Sequence, residues 1–177
     1  TYQNDLELYE KNKSTYEREM ENLRTDIANQ QEYLDHSIWI NMSPYDVCEA
    51  RADLFVSTGY QIMPGMEYQN RDNTDTILQA YQSLLTSSAV LEDVAKQVKT
   101  EPRYLEELVE VTIGANQDGQ LNRMLTIDVK HTTKEDAEEV LGAFLAHVDD
   151  MHDRIATSIG EHTVSIVNES VSALVNL

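Results

Sequence analysis

The residues best placed by type to do chemistry sit in one short run, His147, Asp149, Asp150, His152 and Asp153. Imidazole and carboxylate are the usual nitrogen and oxygen ligands of a divalent metal, but a helical zinc pair needs histidines at i and i+4 on one face. His147 and His152 are five apart and diverge by roughly 140° at 3.6 residues per turn, so a solvated polar face is the expectation there. The adjacent pairs Glu106/Glu107 and Glu138/Glu139 point their carboxylates apart, whereas acid–base catalysis needs them to converge on one bond. Cys48 has no histidine near it in sequence and precedes a small-residue strand, the setting of a buried side chain rather than a nucleophile. Gly114-x-x-x-x-Gly119 lacks the lysine and hydroxyl that complete a phosphate loop. Trp39, Tyr45, Tyr60 and Tyr68 could stack on sugar faces or equally staple an irregular loop. No catalytic, cofactor-binding or metal-binding residue is expected. Two Asn-x-Ser sequons, at Asn41 and Asn168, matter only where a host glycosylates.

The elements that would have to position these groups read as follows. Ala50, Ala52, Leu54 and Val56 alternate with Glu49, Arg51, Asp53 and Phe55, which predicts a half-buried strand over 47–57. Gly59 to Asn70 is a loop around Pro64-Gly65. Asn73 or Thr74 starts a helix with Ile77, Leu78, Tyr81, Leu84 and Leu85 inward, and Thr86-Ser87-Ser88 breaks it and starts another bearing Val90, Leu91, Val94 and Val98. Pro102 suits the first turn of a third. Val111-Thr112-Ile113 is a strand, joined through an Asp-Gly hairpin signal within 116–120 to a second in which Leu125, Ile127 and Val129 alternate with polar residues. Thr132 and Glu135 form a capping-box pattern. The stripe Ala137, Val140, Leu141, Phe144, Val148, Met151, Ile155, Ile159 then predicts one long helix stopped by Gly160 in the left-handed conformation. Residues 162–167 give a last strand. The fold class is therefore α+β: a ferredoxin-like βαββαβ sheet with its helices on one face.

Residues 1–36 form a separate block, a helical arm preceding a base domain over 37–177. Tyr2, Leu6, Tyr9, Lys13, Tyr16, Met20, Leu23, Ile27, Gln30 and Leu34 recur at steps of four and three, the a/d pattern of a coiled coil. Leu6, Tyr9, Tyr16, Met20, Leu23, Ile27 and Leu34 are its expected helix-partner seam, a single amphipathic helix being the alternative. Ser37 to Ile40 reads as short and β-prone.

Thirteen basic against thirty-two acidic side chains leave a charge of −19 and a pI near 4.4. Such a surface repels phosphate backbones and anionic headgroups, which argues against nucleic-acid partners. One cysteine excludes an intrachain disulfide. No apolar run approaches the ~20 residues of a membrane span. The chain starts at Thr1 rather than methionine, so a trimmed piece is expected, its anchors lying outside it.

Two stretches carry a family resemblance. Thr76-Ile-Leu-Gln-Ala-Tyr-Gln-Ser-Leu-Leu-Thr-Ser-Ser-Ala-Val-Leu-Glu-Asp-Val-Ala95 resembles the helix pair, broken by a serine-containing turn, of the chain-length determinant (Wzz-type) family of bacterial polysaccharide co-polymerases. Arg123-Met-Leu-Thr-Ile-Asp-Val129, with Asp136-Ala137 and the helix 140–148, resembles that family's strand and long helix. The run Ala50-x-Ala52-x-Leu54-x-Val56 is similar to its first strand, although Gly142 stands where many members have asparagine. The resemblance implies a non-catalytic domain on the extracytoplasmic face of the bacterial cytoplasmic membrane. It would regulate the length or export of capsule, O-antigen or exopolysaccharide through oligomerisation, and need no cofactor. Implied partners are further copies of the chain, the polysaccharide polymerase or export machinery, and, through segments outside this chain, a cytoplasmic tyrosine autokinase; membrane contact would come only through transmembrane helices absent here. Residues 1–36 would be half of a helical hairpin completed beyond Leu177. A cell-surface glycan- or protein-binding module is the alternative.

Overall fold

The computed structural model describes residues 2–61, 64–65, 72–115 and 121–174, and divides into two units, 1–41 and 42–177. The first holds α1 (Tyr2–His36) and α2 (Ile38–Asn41). The expected β-prone run at 38–40 is thus helical. Its turn is closed locally: the Asn41 carboxamide donates to the carbonyls of Leu34 and Ser37, both at 2.9 Å, and the Ile40 amide donates to the Ser37 hydroxyl. Side chain–backbone bonds of this kind outweigh weak strand propensity. α1 is one helix with no buried residue.

The second unit runs β1 (Val47–Ser57), α3 (Thr74–Leu85), α4 (Ser88–Gln97), α5 (Pro102–Glu106), β2 (Val109–Ala115), β3 (Leu121–His131), α6 (Lys134–Ser158) and β4 (Thr163–Leu174). It is α+β, with one four-stranded sheet in the order β2-β3-β1-β4 and antiparallel pairing throughout. Ala50, Ala52, Leu54 and Val56 of β1 and Leu125, Ile127 and Val129 of β3 are buried against Ile77, Leu78, Tyr81, Phe144 and Val148 of the helices. Each large side chain so placed contributes roughly 1.5–3 kcal/mol. The Gln82 carboxamide, donating to the Val111 carbonyl at 2.9 Å, fastens α3 to edge strand β2.

Local signals differ from expectation in instructive ways. The cap of α6 is Thr133, not Thr132; its hydroxyl accepts from the Asp136 amide at 3.1 Å and donates to the Asp136 carboxylate at 2.7 Å. Gly160 does not enter the left-handed region: α6 ends on Ile159 at φ −117°, and the positive-φ glycines are Gly59 and Gly65. Both β3 and β4 are longer than the alternation suggested. β4 carries a bulge where its register against Asp53 and Leu54 shifts. Val164 and Val171 are seven apart, so simple alternation would put them on opposite faces. The extra residue flips the phase and lets both pack on the helical side. The Asp-Gly hairpin signal lies outside the described residues.

Candidate functional site

The helices of the second unit lie on one face of the sheet, so the polar half of each strand alternation shares the other. Register places Arg51 of β1 between Asp128 of β3 and Ser170 of β4, and Asp53 between Thr126 and Asn168. The bulge is what leaves Asn168 opposite Asp53. Asp53 becomes a hub: its Oδ1 accepts from the Thr126 hydroxyl at 2.7 Å and from Arg51 Nε at 3.3 Å, and its Oδ2 accepts from the Asn168 carboxamide at 3.2 Å. Burial opposes its charge, but these donors and the guanidinium outweigh it, and the carboxyl lies below its ordinary value.

Asp128 behaves in the opposite sense. Its Oδ2 is 3.7 Å from Arg51 Nη1, while its Oδ1 is cut off from solvent and has no hydrogen-bond partner among the described residues. Burial raises its pKa; Arg51 pulls the other way, and Glu49, Glu110 and Asp53 add to the rise. Two carboxyls thus share one guanidinium, one holding its proton weakly and the other strongly. Environments that split a pair in this way are how acid and base roles become assigned.

A second group joins α3, α6 and the start of β4. The carbonyl of Gly160 lies 2.9 Å from Nδ1 of the buried His162, leaving Nε2 to accept the Tyr81 hydroxyl proton at 2.7 Å. His152 packs its ring 4.6 Å from that of His162 and places its own nitrogens on the His162 carbonyl (2.9 Å) and the Asp153 carboxylate (3.1 Å). With an acceptor at each nitrogen its pKa rises, the His162 carbonyl first and Asp153 next. Tyr81 is pushed up to about 12 by burial, with Asp149 and Asp153 adding to it. Beside this group lies a cavity of about 270 Å³ lined by Thr58, Gly59, Tyr60, Asn73, Gly160 and Glu161.

The residues singled out from sequence are scattered. His147 Nε2 lies 3.3 Å from an Asp93 carboxylate oxygen without forming a hydrogen bond, not beside His152, and no group of metal-ligating side chains occurs among the described residues. Cys48 is half-buried, its thiol 3.9 Å from the Thr132 carbonyl. Trp39 is half-exposed on α2, Tyr45 stands exposed in the turn before β1, and Tyr60 lines the cavity. Tyr68 lies outside the described residues. The apolar seam residues of α1 are solvent-facing, Leu6, Tyr9, Tyr16, Leu23, Ile27 and Leu34 all at 44% exposure or more, with Met20 half-buried. Both polar groups described above were missed. Their members lie far apart in sequence, and only the polar phase of the β1 and β3 alternation hinted at the first.

No family model matches the chain, and no curated protein does. Among solved structures it is similar to AtUAH in complex with glyoxylate, with a TM-score of 0.33 and 12% identity over 72% of this chain and 28% of that one. It is also similar to an amidase of the hydantoinase/carbamoylase family from Burkholderia multivorans (TM-score 0.29, 15% identity, 72% and 29% covered) and to one from Burkholderia vietnamiensis (0.29, 16%, 72% and 29%). The chain spans under a third of the length of these structures.

The resemblance to chain-length determinants is not upheld: no family model matches the chain. The physical reason lies in the residues that carried it. Ala-x-Ala-x-Leu-x-Val and the Ile/Leu/Val stripes are what any half-buried strand or amphipathic helix displays, and they specify packing rather than family. With the resemblance go the expectations of a non-catalytic, non-enzymatic domain and of control over polysaccharide length or export. The cell-surface glycan- or protein-binding alternative, which rested on the aromatics Trp39, Tyr45, Tyr60 and Tyr68, goes too, as do the oligomer, polymerase and autokinase partners. No helix of the described residues is long and apolar enough to cross a membrane.

Proposed function

We propose that residues 42–174 form a ferredoxin-like module whose open sheet face does acid–base work on an N–H-bearing small molecule, an amine or amide. Support for the fold comes from the βαββαβ order, the β2-β3-β1-β4 arrangement and the all-antiparallel pairing, with the helical layers on one side. Asp128 is the proton-carrying group. Arg51 orients it, and Asp53, locked by Thr126 and Asn168, holds Arg51 in place.

The observation that carries this reading is the unpartnered Asp128 Oδ1, an acceptor withdrawn from water on a face of net negative charge. A buried acceptor left unsatisfied costs roughly 1–3 kcal/mol, which a ligand donor would recover. Glu49, Glu110 and Asp53 make that donor a nitrogen rather than an anion. The test is a carbon-detected NMR titration of the side-chain carboxyls, with Asp128→Asn for assignment. Asp128 should titrate above the usual aspartate range and Asp53 below it, and methylammonium should draw the Asp128 midpoint downward. An Asp128 midpoint at or below the usual value, or one that ignores methylammonium, would sink the proposal.

A further inference from the structure

The long helix of the first unit offers a second surface, independent of the sheet face. Over 35 residues α1 keeps an unbroken a/d repeat, with Leu6, Lys13, Met20, Ile27 and Leu34 at a and Tyr2, Tyr9, Tyr16, Leu23 and Gln30 at d. None of these side chains is buried, and Tyr2, the most exposed of them, is 82% accessible. An isolated helix gains little from its own backbone in water, and its stability normally comes from covering an apolar face. Within the first unit no described residue covers this seam.

What would cover it can be read from the flanks. In a coiled coil the e and g positions border the seam and set the choice of partner through interhelical ion pairs. Here they are occupied by Asp5, Glu10, Glu17, Glu19 and Asp26, against a single base, Arg24; the rest are uncharged. Pairing two copies in parallel sets Asp5 against Glu10 and stacks Lys13 on Lys13 within the seam, offset only by Glu19 against Arg24. Like-charge contacts of that kind act against the pairing. We infer that α1 docks a helix of a different protein, one with an apolar heptad seam and lysine or arginine at its flanking positions. The three tyrosines at successive d positions require small residues facing the first half of the helix, whereas Met20, Leu23, Ile27 and Leu34 suit aliphatic ones in the second.

The test uses the full 177-residue chain and two synthetic five-heptad peptides, identical in a seam with alanine facing the tyrosines and leucine facing the rest, one with lysine and the other with glutamate at e and g. Fluorescence anisotropy should show the lysine-flanked peptide binding one per chain and at least tenfold tighter than its twin, weakening as salt screens the flanks. Leu23→Glu/Ile27→Glu should lose tenfold or more even though it makes the chain more acidic. Since α1 buries no residue, melting of the sheet unit should be unchanged in that variant. Undiminished binding by the variant would overturn the inference, because charge alone would then explain it. Sedimentation of the chain as a dimer that the same variant dissolves would assign the seam to a second copy and overturn it too. Binding of neither peptide would do the same.

Discussion

Replacing Asp53 with alanine removes the acceptor for three side-chain donors at once. The three are not equally harmed. Arg51 is 42% exposed and still has Asp128, and Asn168 is exposed, so both regain water or a partner. Thr126, only 7% exposed, does not, and its hydroxyl is left unsatisfied. That desolvation, with the loss of charge-assisted bonds, should cost about 2–3 kcal/mol. For a unit of this size that corresponds to a fall of roughly 8 °C in Tm. The pH dependence supplies an independent check. Because the folded pKa of Asp53 is depressed, its stabilising contribution is present above the unfolded value near 3.9 and is lost as pH falls through the lower folded value. Urea denaturation of wild type and Asp53→Ala should therefore show a gap that is widest near neutrality and closes as pH falls below the ordinary aspartate range. A gap under about 0.5 kcal/mol at pH 7, or one that persists undiminished in acid, would refute the account of Asp53 as the hub of the open face.

The remaining predictions concern α6 and its neighbours. Gly142 is exposed in mid-helix with open space where a Cβ would stand, so Gly142→Ala should stabilise by about 0.5–1 kcal/mol, read as a higher urea midpoint at unchanged slope. His152 has a raised pKa, so its contribution is complete below the unfolded value near 6.5 and fades as pH climbs through the folded one. The groups facing it are Asp153, Glu161 and the His162 carbonyl, with Tyr81 and Asp149 beyond. His152→Gln should flatten the stability profile above the ordinary histidine value of about 6.5, and an unchanged slope there would remove His152 as its source. In ultraviolet titration the tyrosine lost in Tyr81→Phe should be one that ionises only near 12 in wild type.

Much of the fold was legible because it is written in short-range periodicity. β1 was located to the residue by alternation alone, and the inner faces of α3, α4 and α6 by their stripes, since burial on one side imposes those periods directly. What escaped was whatever depends on a single residue's surroundings. Thr132 and Thr133 are equally good caps in sequence, and only the path of the chain out of β3 selects the second. Gly160 could have taken a left-handed conformation, but the His152–His162–Tyr81 arrangement at the end of α6 fixes the exit without it. The bulge in β4 has no glycine or proline to announce it, because it is set by the need to keep both Val164 and Val171 against the helices.

That bulge also explains why the candidate site was harder to read than the fold. Alternation in β1 assigns Arg51 and Asp53 to the polar face, and in β3 it assigns Thr126 and Asp128. Which of them meet depends on register, and register across 73 to 115 residues of sequence separation is decided by the whole sheet. A one-residue slip in β4 would turn Asn168 away from Asp53 and release one of the donors that lower its pKa. The unequal acidity of Asp53 and Asp128 is thus a property of strand pairing. Asn168→Ala, which removes the donor that the register delivers, should move the Asp53 titration upward more than any other exposed substitution on β4. If that variant folds with the Asp53 midpoint unmoved, the link between strand register and the site is wrong.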